Sequence, residues 1–197
     1  MVPMMSASPD VRIRDSDLVQ ESLTRPEAFA ELFDQYAGML YRYVSKRIGP
    51  DTAEDIVGET FLIAFSRRSR YDQTYGDARP WLFGITTKLI SRHYRAEAAR
   101  YRALLRSPVE PFMENPAERV VAEVAAQAVR PALAGALAAL PRRDRDVLLL
   151  IAWGDLTYEE TARSLGIPVG TVRSRLNRAR RTLRKALGDD HPLREET

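Results

Sequence analysis

The sequence predicts an all-α protein: two small helical domains joined by a proline-containing linker, the second of them a helix-turn-helix domain. Three observations carry this. Apolar residues recur at the i, i+3, i+4, i+7 spacing of amphipathic helices along most of the chain. No segment shows the strict apolar–polar alternation of a half-buried strand. The pattern breaks at Ser107–Pro116, where Pro108, Pro111 and Pro116 fall within nine residues and little is apolar.

Taken in order, Phe29, Leu32, Phe33, Tyr36, Leu40, Tyr43 and Val44 form the stripe of a first helix, which Gly49-Pro50 ends. Asp51 to Glu54 has the form of a capping box, with an acceptor side chain at the cap and Glu three residues on. The helix it opens carries Ile56, Val57, Thr60, Phe61, Ala64 and Phe65 on one side. Tyr71–Asp77 has turn composition. A third helix begins near Arg79 or Pro80, since proline is tolerated in a first turn. It carries Trp81, Leu82, Ile85 and Leu89 and runs to about Leu105. Beyond the linker lies an alanine-rich helix, Val120 to Leu140, which Pro131 should kink or split. Pro141 starts another helix, bearing Val147, Leu148, Ile151 and Trp153, and Gly154-Asp155 closes it. The expected division is a mobile tail over 1–24, a helical domain over 25–106, linker and helix start over 107–130, a second domain over 131–188, and a tail over 189–197.

Composition excludes several classes. There is no cysteine, hence no disulfide framework, thiolate metal site or cysteine nucleophile. Two histidines, His93 and His191, do not suggest a metal site, and none is expected. The longest apolar cluster, Val147 to Trp153, is far too short to span a bilayer. Met1 to Ser8 lacks a basic start followed by an apolar stretch, so a cytoplasmic chain without membrane insertion is expected. Net charge is only +3 but uneven. Arg173 to Lys185 holds seven basic residues and no acid, and a second basic stretch runs from Lys88 to Arg106, interrupted by Glu97. Acids gather instead at Asp51–Glu59 and Glu110–Glu123. Two basic patches on a nearly neutral chain fit two contacts with a polyanion, or else solvated helix faces.

The most informative stretch is Thr157 to Arg181. Thr157 and Glu160 form a capping box that starts a helix. Ala162 is small where two helices cross closely, and Leu165 faces the core. Gly166 stands where the chain must turn with positive φ. Ile167 anchors the turn, and Pro168 suits the first turn of the next helix. Val172, Leu176, Ala179 and Leu183 form that helix's buried side. Thr171, Arg173, Ser174, Asn177, Arg178 and Arg181 face outward. Arginine's two-donor fork matches the O6/N7 edge of guanine, and asparagine matches adenine. In such a recognition helix the first residues read bases and the later arginines hold the backbone.

Ala139 to Leu150, Leu156 to Glu160 and Gly170 to Arg180 resemble region 4 of bacterial RNA polymerase sigma factors, most closely the extracytoplasmic-function branch. Ala53 to Phe61 resembles region 2.2 of that family, and Pro80 to Ile85 resembles region 2.3. The likeness covers roughly residues 25–105 and 131–187. It implies that the first domain grips the β′ clamp helices of core polymerase and opens the promoter at its minus-10 element. It implies that the second reads the minus-35 element as duplex and rests on the β flap. By that likeness Asp55, Glu59 and Phe61 lie on the clamp-binding helix, an acidic mate for a basic coiled coil. Judged as charges alone, Asp55 and Glu59 equally fit a solvated face.

Trp81, Lys88, Arg92 and Arg95 would lie along the strand-separating surface, where aromatics stack on bases and cations follow phosphate. Trp81, on the apolar stripe with Leu82 and Ile85, reads more simply as core. Tyr75 and Tyr94 are surface or stacking residues. Gly58 stands where the family often has Gln or Glu, and Lys88 where it often has Asn. Lysine accepts no hydrogen bond, which bears on base preference at minus-10. An anti-sigma factor is a partner such proteins often have. Two other readings compete: a dimeric helix-turn-helix regulator with an N-terminal sensor, and an all-helical enzyme. Basic and acidic surfaces in the first domain argue against a sensor, and no catalytic set or cofactor motif is visible.

Overall fold

The computed structural model describes residues 14–104 and 131–187, and every regular element within them is helical. The first half comprises α1 (Asp15–Glu21), a 3-10 turn (Pro26–Phe29), α2 (Ala30–Ile48), α3 (Pro50–Arg67) and α4 (Arg79–Leu104). The second comprises α5 (Pro131–Ala139), α6 (Arg142–Ala152), α7 (Tyr158–Leu165) and α8 (Val169–Leu187). Pro131 begins α5 and so ends no described helix; the stretch from Val120 to Arg130 lies outside the described residues, as do the 107–130 linker and the 189–197 tail.

The apolar stripes do what their spacing implies. Leu32, Tyr36, Leu40, Tyr43 and Val44 of α2 are buried, as are Ile56, Val57, Phe61 and Ala64 of α3. Phe33 departs from the stripe: it is 46% exposed and rests its ring on Phe61, centroids 4.8 Å apart. Gly49 ends α2 with φ 91°, a conformation that glycine adopts without strain. Pro50 then takes the first helical position of α3. That corrects the expected capping box. Gly49 is the cap residue, no side chain caps the helix, and Asp51 falls inside the first turn, where its charge meets the helix dipole.

A tail over residues 1–24 is also corrected from Asp15 onward. Leu18 and Val19 of α1 are buried in the core. Asp15, itself buried, accepts from the Tyr36 hydroxyl at 2.5 Å and from the Ala78 backbone N–H at 2.8 Å. One carboxylate thus ties α1 to α2 and to the start of α4, which no local pattern announces.

The largest difference concerns the two halves. The sequence reads as two separate units, yet the structure packs α4 against α7 and runs one apolar core through both. Leu137, Leu140, Leu149, Leu150 and Leu156 join the same cluster as Tyr43, Phe83 and Ile90. Two glycines permit the approach. A Cβ on Gly84 would lie 2.5 Å from the Ser164 carbonyl oxygen, so helix backbone meets helix backbone there. A Cβ on Gly154 would lie 2.6 Å from the Leu150 carbonyl oxygen and 3.0 Å from the Phe83 ring.

Candidate nucleic-acid and polymerase interface

The helix-turn-helix forms as its residues imply. Thr157 Oγ1 accepts from the Glu160 N–H at 3.2 Å, and the Glu160 carboxylate accepts from the Thr157 N–H at 2.7 Å. Burial opposes ionisation of Glu160, but the Thr157 backbone N–H, the Thr157 hydroxyl, the Arg79 charge and Asp77 together outweigh it, so the carboxyl is held below its ordinary value. Gly166 closes α7 in the left-handed region, φ 64° and ψ 42°. The Pro168 carbonyl accepts from Thr171 and Val172, so proline stands just before α8 rather than inside it. Val172, Leu176, Ala179 and Leu183 are buried, and the first two pack with Val147 and Ala162.

The outward face of α8 is as expected, with two refinements. Arg173, Ser174, Asn177, Arg178 and Arg181 are exposed, while Thr171 is half-buried. Ser174 Oγ donates to the Thr171 carbonyl at 3.0 Å. Arg178 reaches Asp144 of α6 with two bonds of 3.1 Å. Asp144 therefore aims Arg178, a pairing the motif did not suggest.

In the first half, Asp55 is exposed on α3, and Glu59 is half-buried. Phe61 is not on that face. It is buried at 6% exposure beneath Phe33, and this corrects its assignment to the polymerase contact. The apolar residue that α3 does present is Leu62, 72% exposed and seven positions from Asp55, two helical turns along the same face. Its signal was available: Leu62 is apolar yet off the buried stripe.

The cations on α4 divide. Lys88 and Arg95 are exposed, and Arg95 Nε donates to the Ser91 carbonyl at 3.2 Å. Arg92 donates to both oxygens of Glu59, at 2.5 and 2.6 Å. Residues assigned by resemblance to two different partners thus brace α3 against α4. Trp81 is half-buried and tilts against Tyr71 at 5.0 Å, so most of its ring serves the core.

Reading residue by residue missed the junction between the halves. Arg47 donates to Asp146 at 2.7 Å and to the Tyr43 hydroxyl at 2.8 Å. Burial opposes the Arg47 charge, but Tyr43 and Asp146 outweigh it, and the guanidinium is held above its ordinary value. Burial pushes the Tyr43 phenol up. Tyr94 OH donates to the Arg47 carbonyl, and Arg79 donates to the Gly154 carbonyl at 2.7 Å and to that of Asp155. Arg163 of α7 lies over the Tyr75 ring, 4.7 Å from its centre. Among the described residues no group of His, Cys, Asp and Glu could hold a metal ion, and no helix is long and apolar enough to cross a membrane.

Comparison with known proteins agrees with this geometry. The family model for Sigma-70 region 2 matches residues 32–100, and that for Sigma-70, region 4 matches residues 130–183. The ECF RNA polymerase sigma factor SigL of Mycobacterium tuberculosis is 34% identical over 157 residues, 79% of this chain and 86% of SigL. BldN of Streptomyces coelicolor, also an ECF RNA polymerase sigma factor, is 32% identical over 166 residues, 83% of this chain and 62% of BldN. CnrH, solved with the cytosolic domain of CnrY, superposes with a TM-score of 0.63 at 24% identity, covering 90% of this chain and 99% of CnrH. The sigma factor RpoE from Bartonella quintana, solved with the anti-sigma factor NepR, gives 0.60 at 22% identity, covering 84% and 99%. These two likenesses concern the fold. With the region order and the SigL match together, the chain belongs to the ECF RNA polymerase sigma factors.

Proposed function

We propose that this chain binds core RNA polymerase, places it on promoters by contacting the minus-35 and minus-10 elements, and helps to open the duplex. The carrying observation is the pairing of a capped helix-turn-helix, cationic on α8, with a second helical unit that is acidic on α3 and cationic on α4. Arg173, Ser174, Asn177 and Arg181, with Thr171 and Arg178 beside them, are the proposed minus-35 contacts. Lys88, Arg92 and Arg95, with the exposed edge of Trp81, are the proposed minus-10 contacts. Asp55, Glu59 and Leu62 are the proposed contact with the β′ clamp helices, with complementary charge setting orientation. Region 4 would rest on the β flap. RNA synthesis belongs to core; this chain chooses the start site in the cytoplasm. An anti-sigma factor is a proposed further partner, as NepR is for RpoE of Bartonella quintana.

The closed arrangement bears on this. The two promoter elements lie about 25 base pairs apart, or about 85 Å along B-DNA. A compact chain of this length is roughly 40 Å across. The halves must therefore separate before one chain touches both elements.

The test is transcription from a promoter library by purified core with and without this protein. Protein-dependent starts downstream of one shared two-part sequence are expected. A stable dimer that occupies a palindromic site without core, and adds no starts, would sink the reading.

A further inference from the structure

A cleft of about 350 Å³ opens between α4 and the helix-turn-helix. Five cations line it: Lys88 and Arg95 from α4, Arg142 and Arg143 from α6, and Arg175 from α8. One carboxylate, Asp146, shares the cleft and is already engaged. Arg47 holds it at 2.7 Å, and Arg142 lies 3.8 Å from its other oxygen. Among the described residues no carboxylate lies within ion-pair distance of Lys88, Arg95, Arg143 or Arg175. Ser164, at the end of α7, lines the same cleft; it is 7% exposed and its hydroxyl has no hydrogen-bond partner. A buried hydroxyl left unpaired is costly. An acceptor at the cleft floor would satisfy it.

We propose that this cleft is a binding site for a small phosphate-bearing anion, of the pyrophosphate or nucleoside diphosphate class, held between the two halves of the chain. Arginine forks match phosphate oxygens in pairs. An excess of cations between low-dielectric walls concentrates the field on a compact anion. The volume is at the small end of ligand sites and enough for such an anion. Leu165 and Ile167 give one wall an apolar stretch on which a base or sugar rests. The cations come from both halves, so the site is assembled when the halves meet, and its occupant favours the closed arrangement. Lys88 and Arg95 are also proposed promoter contacts. Competition between anion and promoter rests on that reading; the binding itself does not.

The test is isothermal titration of the full chain, without polymerase or DNA, with inorganic pyrophosphate, ADP, sulfate and an acidic hexapeptide at one ionic strength. One pyrophosphate or ADP per chain is expected, with sulfate about tenfold weaker or worse. Arg143→Ala with Arg175→Ala should weaken binding about tenfold or more. Ser164→Ala, which removes one buried oxygen and keeps the packing, should weaken it about three- to tenfold. Arg67→Ala, on the far end of α3, should bind as the parent does. ADP binding more tightly than pyrophosphate identifies a nucleotide as the occupant, and equal binding identifies the free phosphate compound. Either supports the site. Sulfate matching pyrophosphate, indifference to both cleft variants, or tighter binding of an acidic hexapeptide overturns it. Circular dichroism checks that each variant is folded, and the serine variant decides if the arginine pair is not.

Discussion

Arg47 of α2 and Asp146 of α6 meet at 2.7 Å, 99 residues apart in sequence, with side chains only 4% and 8% exposed. Each belongs to a different half, so their bond reports whether the halves are together. Removing one partner strands a charge in a buried site, at a cost of about 3–5 kcal/mol. Asp146→Ala should therefore lower the denaturant midpoint of the whole chain and split unfolding into two transitions. Pairing it with Arg47→Met should recover much of the loss, because an apolar pair strands no charge. Equilibrium urea unfolding of the two single variants and the double variant checks this. Additive losses would mean that the pair is not coupled.

Gly84 offers a separate handle on the same junction. Alanine improves intrinsic helix stability by about 1 kcal/mol over glycine, so Gly84→Ala should leave α4 itself intact. Its Cβ, however, would lie 2.5 Å from the Ser164 carbonyl oxygen, backbone that cannot rotate away. The substitution should push α4 and α7 apart. Small-angle scattering should show a radius of gyration above the roughly 16 Å of a compact chain of this length, with unchanged helix content. A radius unaltered at about 16 Å would show that the junction absorbs the Cβ, and a parent radius already well above it would show that the halves are apart in solution.

Phe61 and Leu62 are neighbours with opposite surroundings, 6% and 72% exposed. Phe61→Ala should cost about 3–5 kcal/mol as a core truncation and lower core binding only by unfolding the first half. Leu62→Ala should change stability by no more than about 0.5 kcal/mol. It should nonetheless weaken co-elution with core polymerase. Thermal melts and gel filtration with core separate the two outcomes. Full core binding by a Leu62→Ala, Asp55→Ala double variant would remove α3 from the proposed contact.

Arg173 is exposed in the first turns of α8, where recognition helices address base edges. Arg173→Ala should reduce transcription from promoters with a matched minus-35 element, by about tenfold or more if one bidentate base contact is lost. Core binding should stay the same. Promoter binding by the assembled holoenzyme should also fall steeply with added salt, because phosphate contacts release counterions. A flat salt response would count against two cationic surfaces.

Local chemistry explains what could be read in advance. The stripes on α2, α3 and α8, the Thr157–Glu160 box, the left-handed Gly166 and the outward α8 arginines all follow from interactions between residues a few positions apart. Spacing along a helix records those interactions directly. The Asp51 box failed for an equally local reason: Pro50 and Gly49 claimed the helix start first. What escaped was non-local. Asp15 anchoring α1, Asp144 aiming Arg178, and the Arg47–Asp146 bond each join parts of the chain that periodicity cannot relate. A charged residue in a sequence looks the same whether it meets water or a buried partner. Tertiary packing chose between those fates, and closure of the halves did so for Arg47 and Asp146, because desolvation makes an unpaired buried charge too costly to keep.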